Sequence, residues 1–172
     1  MKRFFFAVTA ILFLGSAAAQ QKRNVVKCTL ITSPDKKIIA EVLLSNNNTA
    51  VYNIKYSGKI ILQNSALGIL REDADFANNM QWLSNSEQKT VKDEYKMLTA
   101  KKSSIKYVAN KRTISLLSKT GDAVNIVFQV SNDGVAFRYE FPQISTEIKK
   151  IKQELTSFKF NQGTRAWLQP KT

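Results

Sequence analysis

Apolar and polar residues alternate with a period of two along much of this chain, and turn sequences break the alternation at short intervals. Successive side chains on a strand point to opposite faces, so this pattern buries one face and wets the other. Ile38–Leu44 and Val51–Tyr56 read as strands joined through Asn46-Asn47-Asn48. Ser33-Pro34-Asp35-Lys36 forms the preceding turn, with Pro34 presetting the backbone angle. Ser57-Gly58-Lys59 turns the chain into Ile60–Leu62. Antiparallel hairpins this closely spaced are the signature of a sandwich or barrel. Val26, Cys28 and Leu30 alternate with Lys27 and Thr29, which predicts a first strand with Cys28 buried. Thr113–Leu117 is a further strand, whereas Lys89–Ala100 and Ser104–Val108 are less regular.

The clearest hairpin is Ala123–Phe141. Its turn is Ser131-Asn132-Asp133-Gly134, with Gly134 expected to supply a positive backbone angle. In the second arm Phe137, Tyr139 and Phe141 share one face, and Ala136, Arg138 and Glu140 the other. Arg138 and Glu140 sit about 7 Å apart along a strand, close enough to pair with each other or with a neighbouring strand. Their face is wet or covered by a partner, and Arg138 is a candidate carbohydrate contact. One segment breaks the strand pattern. Ile144, Ile148, Ile151, Leu155 and Phe158 recur at helical spacing, and periodicity alone predicts a helix there.

Composition removes several kinds of chemistry. The chain has no His, which excludes His-based bases, Ser-His-Asp triads and His-ligated zinc. Its single Cys can form no internal disulfide. Asp73-x-Asp75 could open a calcium loop, but it lacks the Gly and later Glu of an EF-hand. It reads instead as an exposed acidic loop, with Phe76 and Trp82 anchoring it to the core. The formal charge of +13 invites a nucleic-acid reading. The lysines are scattered, however, and no RNA-binding aromatic motif, zinc finger or basic helix accompanies them. A solvated basic surface is expected, with no nucleic-acid partner.

The start of the chain reads as a signal peptide. Lys2 and Arg3 precede the apolar run Phe4–Leu14, and Ala17-Ala18-Ala19 follows as a cleavage pattern. Cleavage after Ala19 would leave Gln20–Thr172 periplasmic or secreted. The apolar run is shorter than the roughly 20 residues a spanning helix needs. No Cys follows it directly, so neither a membrane anchor nor a lipid anchor is expected.

Several segments, taken in order, resemble the N-terminal domain of family 97 of the glycoside hydrolases, exported α-glucosidases and α-galactosidases of Bacteroidetes-type bacteria. The likeness begins at Ser33-Pro34-Asp35 and runs through Tyr52–Gly58. It continues in Ser65–Leu70, similar to the family's SPLGL stretch with Ala66 in place of Pro. It is sharpest at Asn132–Pro142, NDGVAFRYEFP, and goes on through Glu154–Phe158 to Ala166–Pro170, AWLQP. The resemblance implies an all-β fold, an antiparallel β-super-sandwich similar to galactose mutarotase, packed against a catalytic (β/α)₈ barrel. It also implies strand, not helix, over Ile148–Phe160.

A barrel needs about 250 residues, which this chain does not have room for. Gln20–Thr172 is therefore expected to be a partial N-terminal domain, incomplete at its C-terminus. The family's catalytic carboxylates and calcium ligands lie beyond the matching positions, so no catalytic residue and no metal ligand is assigned here. Glycosidases hold two carboxyl groups about 5–9.5 Å apart. Asp133 and Glu140 are separated by roughly 20 Å of strand, too far to serve. The implied role is a non-catalytic sandwich that scaffolds the barrel and contacts oligosaccharide through Arg138 and Trp167. The alternative is a free-standing carbohydrate-binding β-sandwich. A third reading, an unrelated exported sandwich for adhesion or assembly, is disfavoured by the resemblance.

Overall fold

A computed structural model describes residues 27–99 and 101–167. The expected signal peptide, Val26 and the end of the AWLQP stretch lie outside the described residues. All regular structure among the described residues is β: β1 (Cys28–Thr32), β2 (Ile38–Leu44), β3 (Ala50–Tyr56), β4 (Lys59–Ala66), β5 (Ile69–Arg71), β6 (Gln81–Asn85), β7 (Lys89–Lys96), β8 (Ser104–Leu117), β9 (Ala123–Ser131), β10 (Val135–Glu140) and β11 (Ile151–Glu154). One antiparallel sheet has the order β1-β2-β3-β4. The second runs β10-β9-β8-β6, with β7 also paired to β8. The long strand β8 serves both neighbours in succession, β7 along residues 104–111 and β6 along 114–117. A small third sheet pairs β11 with β5.

The two large sheets bury a shared core. Ile38, Ala40, Val42, Tyr52 and Ile54 from the first meet Ile114, Leu116, Val124, Ile126, Phe128 and Val130 from the second. At its centre the Tyr52 ring lies 6.1 Å from Phe128 and 5.5 Å from Phe137. The expected division of β10 holds: Phe137, Tyr139 and Phe141 pack on the core while Arg138 stays exposed. Phe76 is buried and Trp82 packs against the same core, so both anchor their loop as expected.

Four local expectations are corrected. Cys28 is exposed, and Thr29 and Ile31 point inward instead. Ile31 sits opposite the buried Ala40, so the register of β2 selects this parity. Thr29 tolerates burial because its hydroxyl accepts a 2.5 Å hydrogen bond from Arg112 of the opposing sheet. Gly134 does not adopt a positive φ. Its turn is closed by Ser131 N–H donating to the Gly134 carbonyl at 2.9 Å and by the Ser131 hydroxyl donating to Asp133 at 2.5 Å. Positive angles fall instead at Ser57 (46°) and Gly58 (82°), as the two-residue β3–β4 hairpin requires.

The less regular stretch from Lys89 is a continuous hairpin, paired from Lys89/Lys111 to Lys96/Ser104. Most of β7 is exposed on both faces, which erases any alternation signal. Finally, Ile144–Phe158 is not a helix. Only Ile151–Glu154 is strand, so the longer strand implied by the resemblance is also trimmed. The segment follows the edges of β5 and β4 as an extended strap. Leu155 N–H donates to the Gly68 carbonyl, Ser157 N–H to Ala66, and Phe160 bridges Leu62. Available backbone partners outweigh side-chain periodicity: Ile144 and Ile148 are almost fully exposed and have no core to face.

Arg71 forms a second organising centre. Only 7% exposed, it is sandwiched between the Phe76 and Phe141 rings, its guanidinium carbon 5.0 Å from each centroid. It donates to both oxygens of Asp73. Lys149 reaches Asp73 at 3.0 Å, bringing the strap onto the same carboxylate. Hydrogen bonds from Arg71 and Lys149 hold the Asp73 carboxyl down from 3.8 to about 2.

A carboxyl lowered by folding stabilises the fold above its ordinary value and stops doing so as pH falls through the folded one. Asp73 is therefore expected to make unfolding easier between pH 3.8 and about 2, in urea melts followed across that window. Asp73→Asn should flatten this dependence, and an unchanged pH slope in the variant would refute it. Gly68 offers a steric test. A Cβ built there meets the Ala77 Cβ at 2.6 Å, so Gly68→Ala should cost about 1–3 kcal/mol in the same melts.

Candidate functional site

The β9–β10 hairpin places Arg138 on the outer face of the second sheet, beside Val127 of β9 in register. The Arg138 guanidinium donates to Glu140 Oε1 through Nε at 2.8 Å and lies 2.6 Å from it through Nη2. The two side chains are 62% and 40% exposed. Of the two pairings the sequence left open, with each other or with a neighbouring strand, the structure shows the mutual one. An exposed pair of this kind contributes little stability, about 0–1 kcal/mol.

Next to the pair is a shallow depression of about 140 Å³ lined by Val127, Gln129, Ala136, Phe137 and Arg138. Tyr107 of β8 leans over the same face, its hydroxyl donating to Gln129 Oε1 at 3.2 Å. A ring, an amide and a guanidinium therefore line one open surface. This is the chemistry that receives hydroxyl-rich ligands, although the surface is flat and small. Trp167, the other sequence candidate, is 96% exposed. No hydrogen bond or ring contact among the described residues joins it to Arg138, so the two are not brought into one site.

Four of the aspartates are engaged in contacts of the fold. Asp133 accepts from the Ser131 hydroxyl in its own turn. Asp35 is held below the usual carboxylate range by the Ser33 hydroxyl and the Lys37 N–H. Burial pushes Asp75 up, but hydrogen bonds from the Asn78 side chain and from the Ala77 and Asn78 N–H groups outweigh it and leave the carboxyl lowered. With Asp73 bound by Arg71 and Lys149, neither member of Asp73-x-Asp75 offers a free oxygen pair to a cation. No group of three or more His, Cys, Asp or Glu among the described residues is arranged to hold a metal. These residues do not fit a calcium ion.

Two of the segments that carry the sequence resemblance meet in space. Asp35 N–H donates to Asn132 Oδ1 at 3.0 Å, joining the Ser33-Pro34-Asp35 turn to the turn of the β9–β10 hairpin. Asn110 ties in a third element by donating to the Thr32 carbonyl at 2.7 Å. The motif residues thus close one end of the sandwich. Sequence reading missed the Arg71 cluster, which brings Phe141 and Lys149 onto the distant stretch Arg71–Phe76 and follows no period. It also missed the Tyr107–Gln129 contact, which only the β8–β9 register creates.

The comparisons agree with this architecture. A solved β-arabinopyranosidase superposes with a TM-score of 0.73 at 30% identity, over 77% of this chain and 21% of that one. A glycoside hydrolase family 97 enzyme from Pseudoalteromonas sp. strain K8, solved with acarbose, gives 0.69 at 25% identity over 78% and 20%. A probable retaining α-galactosidase of Streptomyces bingchenggensis (strain BCW-1) is 29% identical over 115 residues, 67% of this chain and 18% of that protein. The chain thus spans about a fifth of the length of these relatives. Residues 31–172 match the family model described as Glycosyl-hydrolase 97 N-terminal, and the chain belongs to that family.

Proposed function

We propose that this chain is the non-catalytic β-sandwich of an exported family 97 glycosidase. In this reading it scaffolds a (β/α)₈ barrel that hydrolyses α-glucosides or α-galactosides. The observation that carries the reading is the match of residues 31–172 to the N-terminal family, at about a fifth of the length of its relatives. The carboxylates support it. Glu140 is held by Arg138 and Asp133 by its own turn, so these two do not face each other across a cleft as hydrolysis demands. Calcium, where the complete enzyme uses it, is held outside these residues.

Carbohydrate contact belongs to the same proposal. Relatives have been solved with panose and with acarbose. The outer face at Tyr107, Gln129 and Arg138 and the exposed ring of Trp167 are the surfaces of this chain suited to a sugar. A free-standing carbohydrate-binding module is the second reading, favoured by that exposed indole. Export rests on the order of Lys2-Arg3, Phe4–Leu14 and Ala17–Ala19.

One preparation of the chain tests both readings. It is expected to release no nitrophenol from nitrophenyl α-glucoside or α-galactoside, and sustained turnover by the pure protein would defeat the scaffold reading. Titration with panose separates the alternatives. Weak binding that drops at least about tenfold (1.4 kcal/mol) in Arg138→Ala or Trp167→Ala supports sugar contact. Tight binding by the isolated chain would put the binding module first. Export is checked by N-terminal sequencing of protein from the periplasm or medium: a chain beginning at Gln20 is expected, and an intact Met1 is the contrary result.

A further inference from the structure

β7 and the first part of β8 run on past the rest of their sheet. β8 pairs with β9 only from Ala109 onward and with β6 only from Ile114. Between Lys92/Val108 and Lys96/Ser104, β7 and β8 pair only with each other. They form a two-stranded ribbon that projects about 17 Å past the last β9 pairing, at 3.3 Å per residue. Met97 N–H donates to the Ser103 carbonyl at 2.9 Å, which carries the register one pair further and closes the ribbon near its tip.

Directly paired residues share a face. Tyr95 with Ile105 and Asp93 with Tyr107 lie on one face of the ribbon, Glu94 with Lys106 and Lys92 with Val108 on the other. Tyr95 is 45% exposed, Met97 43%, and Leu98 at the tip fully. A single exposed Leu needs no explanation. Here three large apolar side chains follow one another to the outermost point of a projection. Lysines surround them. Lys96, Lys101 and Lys102 are exposed, and none of the ion pairs among the described residues involves them. Over the whole ribbon, Lys92, Lys96, Lys101, Lys102 and Lys106 outnumber Asp93 and Glu94.

We infer that this ribbon docks the protein on an anionic phospholipid bilayer. Leu98 and Met97 enter the boundary between headgroups and acyl chains, and Lys96, Lys101 and Lys102 sit among the anionic headgroups. The two features select this partner together. A soluble polyanion satisfies the lysines but leaves Leu98 and Met97 in water. An uncharged bilayer takes Leu98 and Met97 but offers nothing to the lysines. A second copy of this chain brings two lysine-rich tips together, and like charges repel. At an anionic bilayer surface, hydrocarbon lies within about 5–10 Å of the negative headgroups. The long lysine stem keeps its ammonium at headgroup level while the tip goes deeper. The contact is peripheral and reversible and needs no spanning segment. It is independent of the scaffold reading, and it uses a different part of the surface from the face at Gln129 and Arg138.

A local probe tests the inference in the full chain. The exposed Cys28 is removed as Cys28→Ser, and Thr99→Cys carries an NBD fluorophore beside Leu98. With phosphatidylglycerol vesicles its emission should shift to the blue and be quenched by spin-labelled lipid. Partitioning read from this shift should fall at least about tenfold on pure phosphatidylcholine, in Lys101→Gln/Lys102→Gln, and in Leu98→Asp. Salt at about 1 M should weaken it similarly. The same probe at Asn47→Cys, in the β2–β3 turn, should stay unquenched. An unmoved Thr99 probe on protein that binds the vesicles would overturn the inference, by leaving the apolar run Phe4–Leu14 as what holds them. Equal quenching at Asn47, or an equal shift on phosphatidylcholine, would also overturn it. So would an equal shift with dextran sulfate and no lipid, which would make a soluble polyanion the partner. A lipid-free shift that grows with protein concentration would point to a second copy and overturn it too.

Discussion

Tyr52 ties the two large sheets to the strap from the centre of the core. Its ring is 1% exposed and contacts Phe128 and Phe137 of the opposing sheet. Its hydroxyl donates to the Ser157 carbonyl of the strap. Burial pushes the phenol up to about 12, so it is a neutral donor at neutral pH. A buried hydroxyl without a partner costs about 1–3 kcal/mol. The strap must therefore lie where Ser157 can accept, and its course along β4 follows from a residue in the centre of the core. Tyr139 repeats the arrangement, bonding Gly68 N–H and lying beside Thr156. Two aromatic residues from opposite sheets thus fix one segment from inside.

The Arg71 cluster holds the other end of the same segment by different physics. A nearly buried guanidinium costs several kcal/mol unless it is paired and its donors are used. Asp73 supplies the charge, Phe76 and Phe141 the two faces, and Asp122 stands 3.9 Å away. Lys149 then finds Asp73 already in place. The cluster gathers β5, the β8–β9 turn, the end of β10 and the strap. The strap is held by polar contacts at both ends, and this leaves its apolar side chains free to face outward.

What the sequence disclosed follows from this division. Strands with one dry face and one wet face were legible: β2, β3, β9 and β10 emerge with nearly their observed bounds, and the Phe137/Arg138 faces are assigned correctly. The period-two signal exists only where burial differs between faces. It fails on the β7–β8 hairpin, which is wet on both sides, and on β1, where Thr29 takes a core position through its bond to Arg112. The strap misleads because its apolar residues face neither a core nor a regular period. Family membership was legible from motifs that meet at one end of the sandwich, Asp35 against Asn132. The candidate contacts were less so. Arg138 and Glu140 were named from their spacing, but Tyr107 joins that face only through the register of β8 on β9.

Several carboxylates of this chain are committed to the fold itself. A general acid or base needs a carboxyl with a free lone pair and a tuned affinity for protons near the working pH. Asp35, Asp73 and Asp75 are all shifted downward, away from neutrality, by donors that are part of the fold. Glu140 is held by Arg138, and Asp133 by Ser131. These carboxylates close turns or hold a guanidinium. Using them in this way gives the sandwich fixed turns.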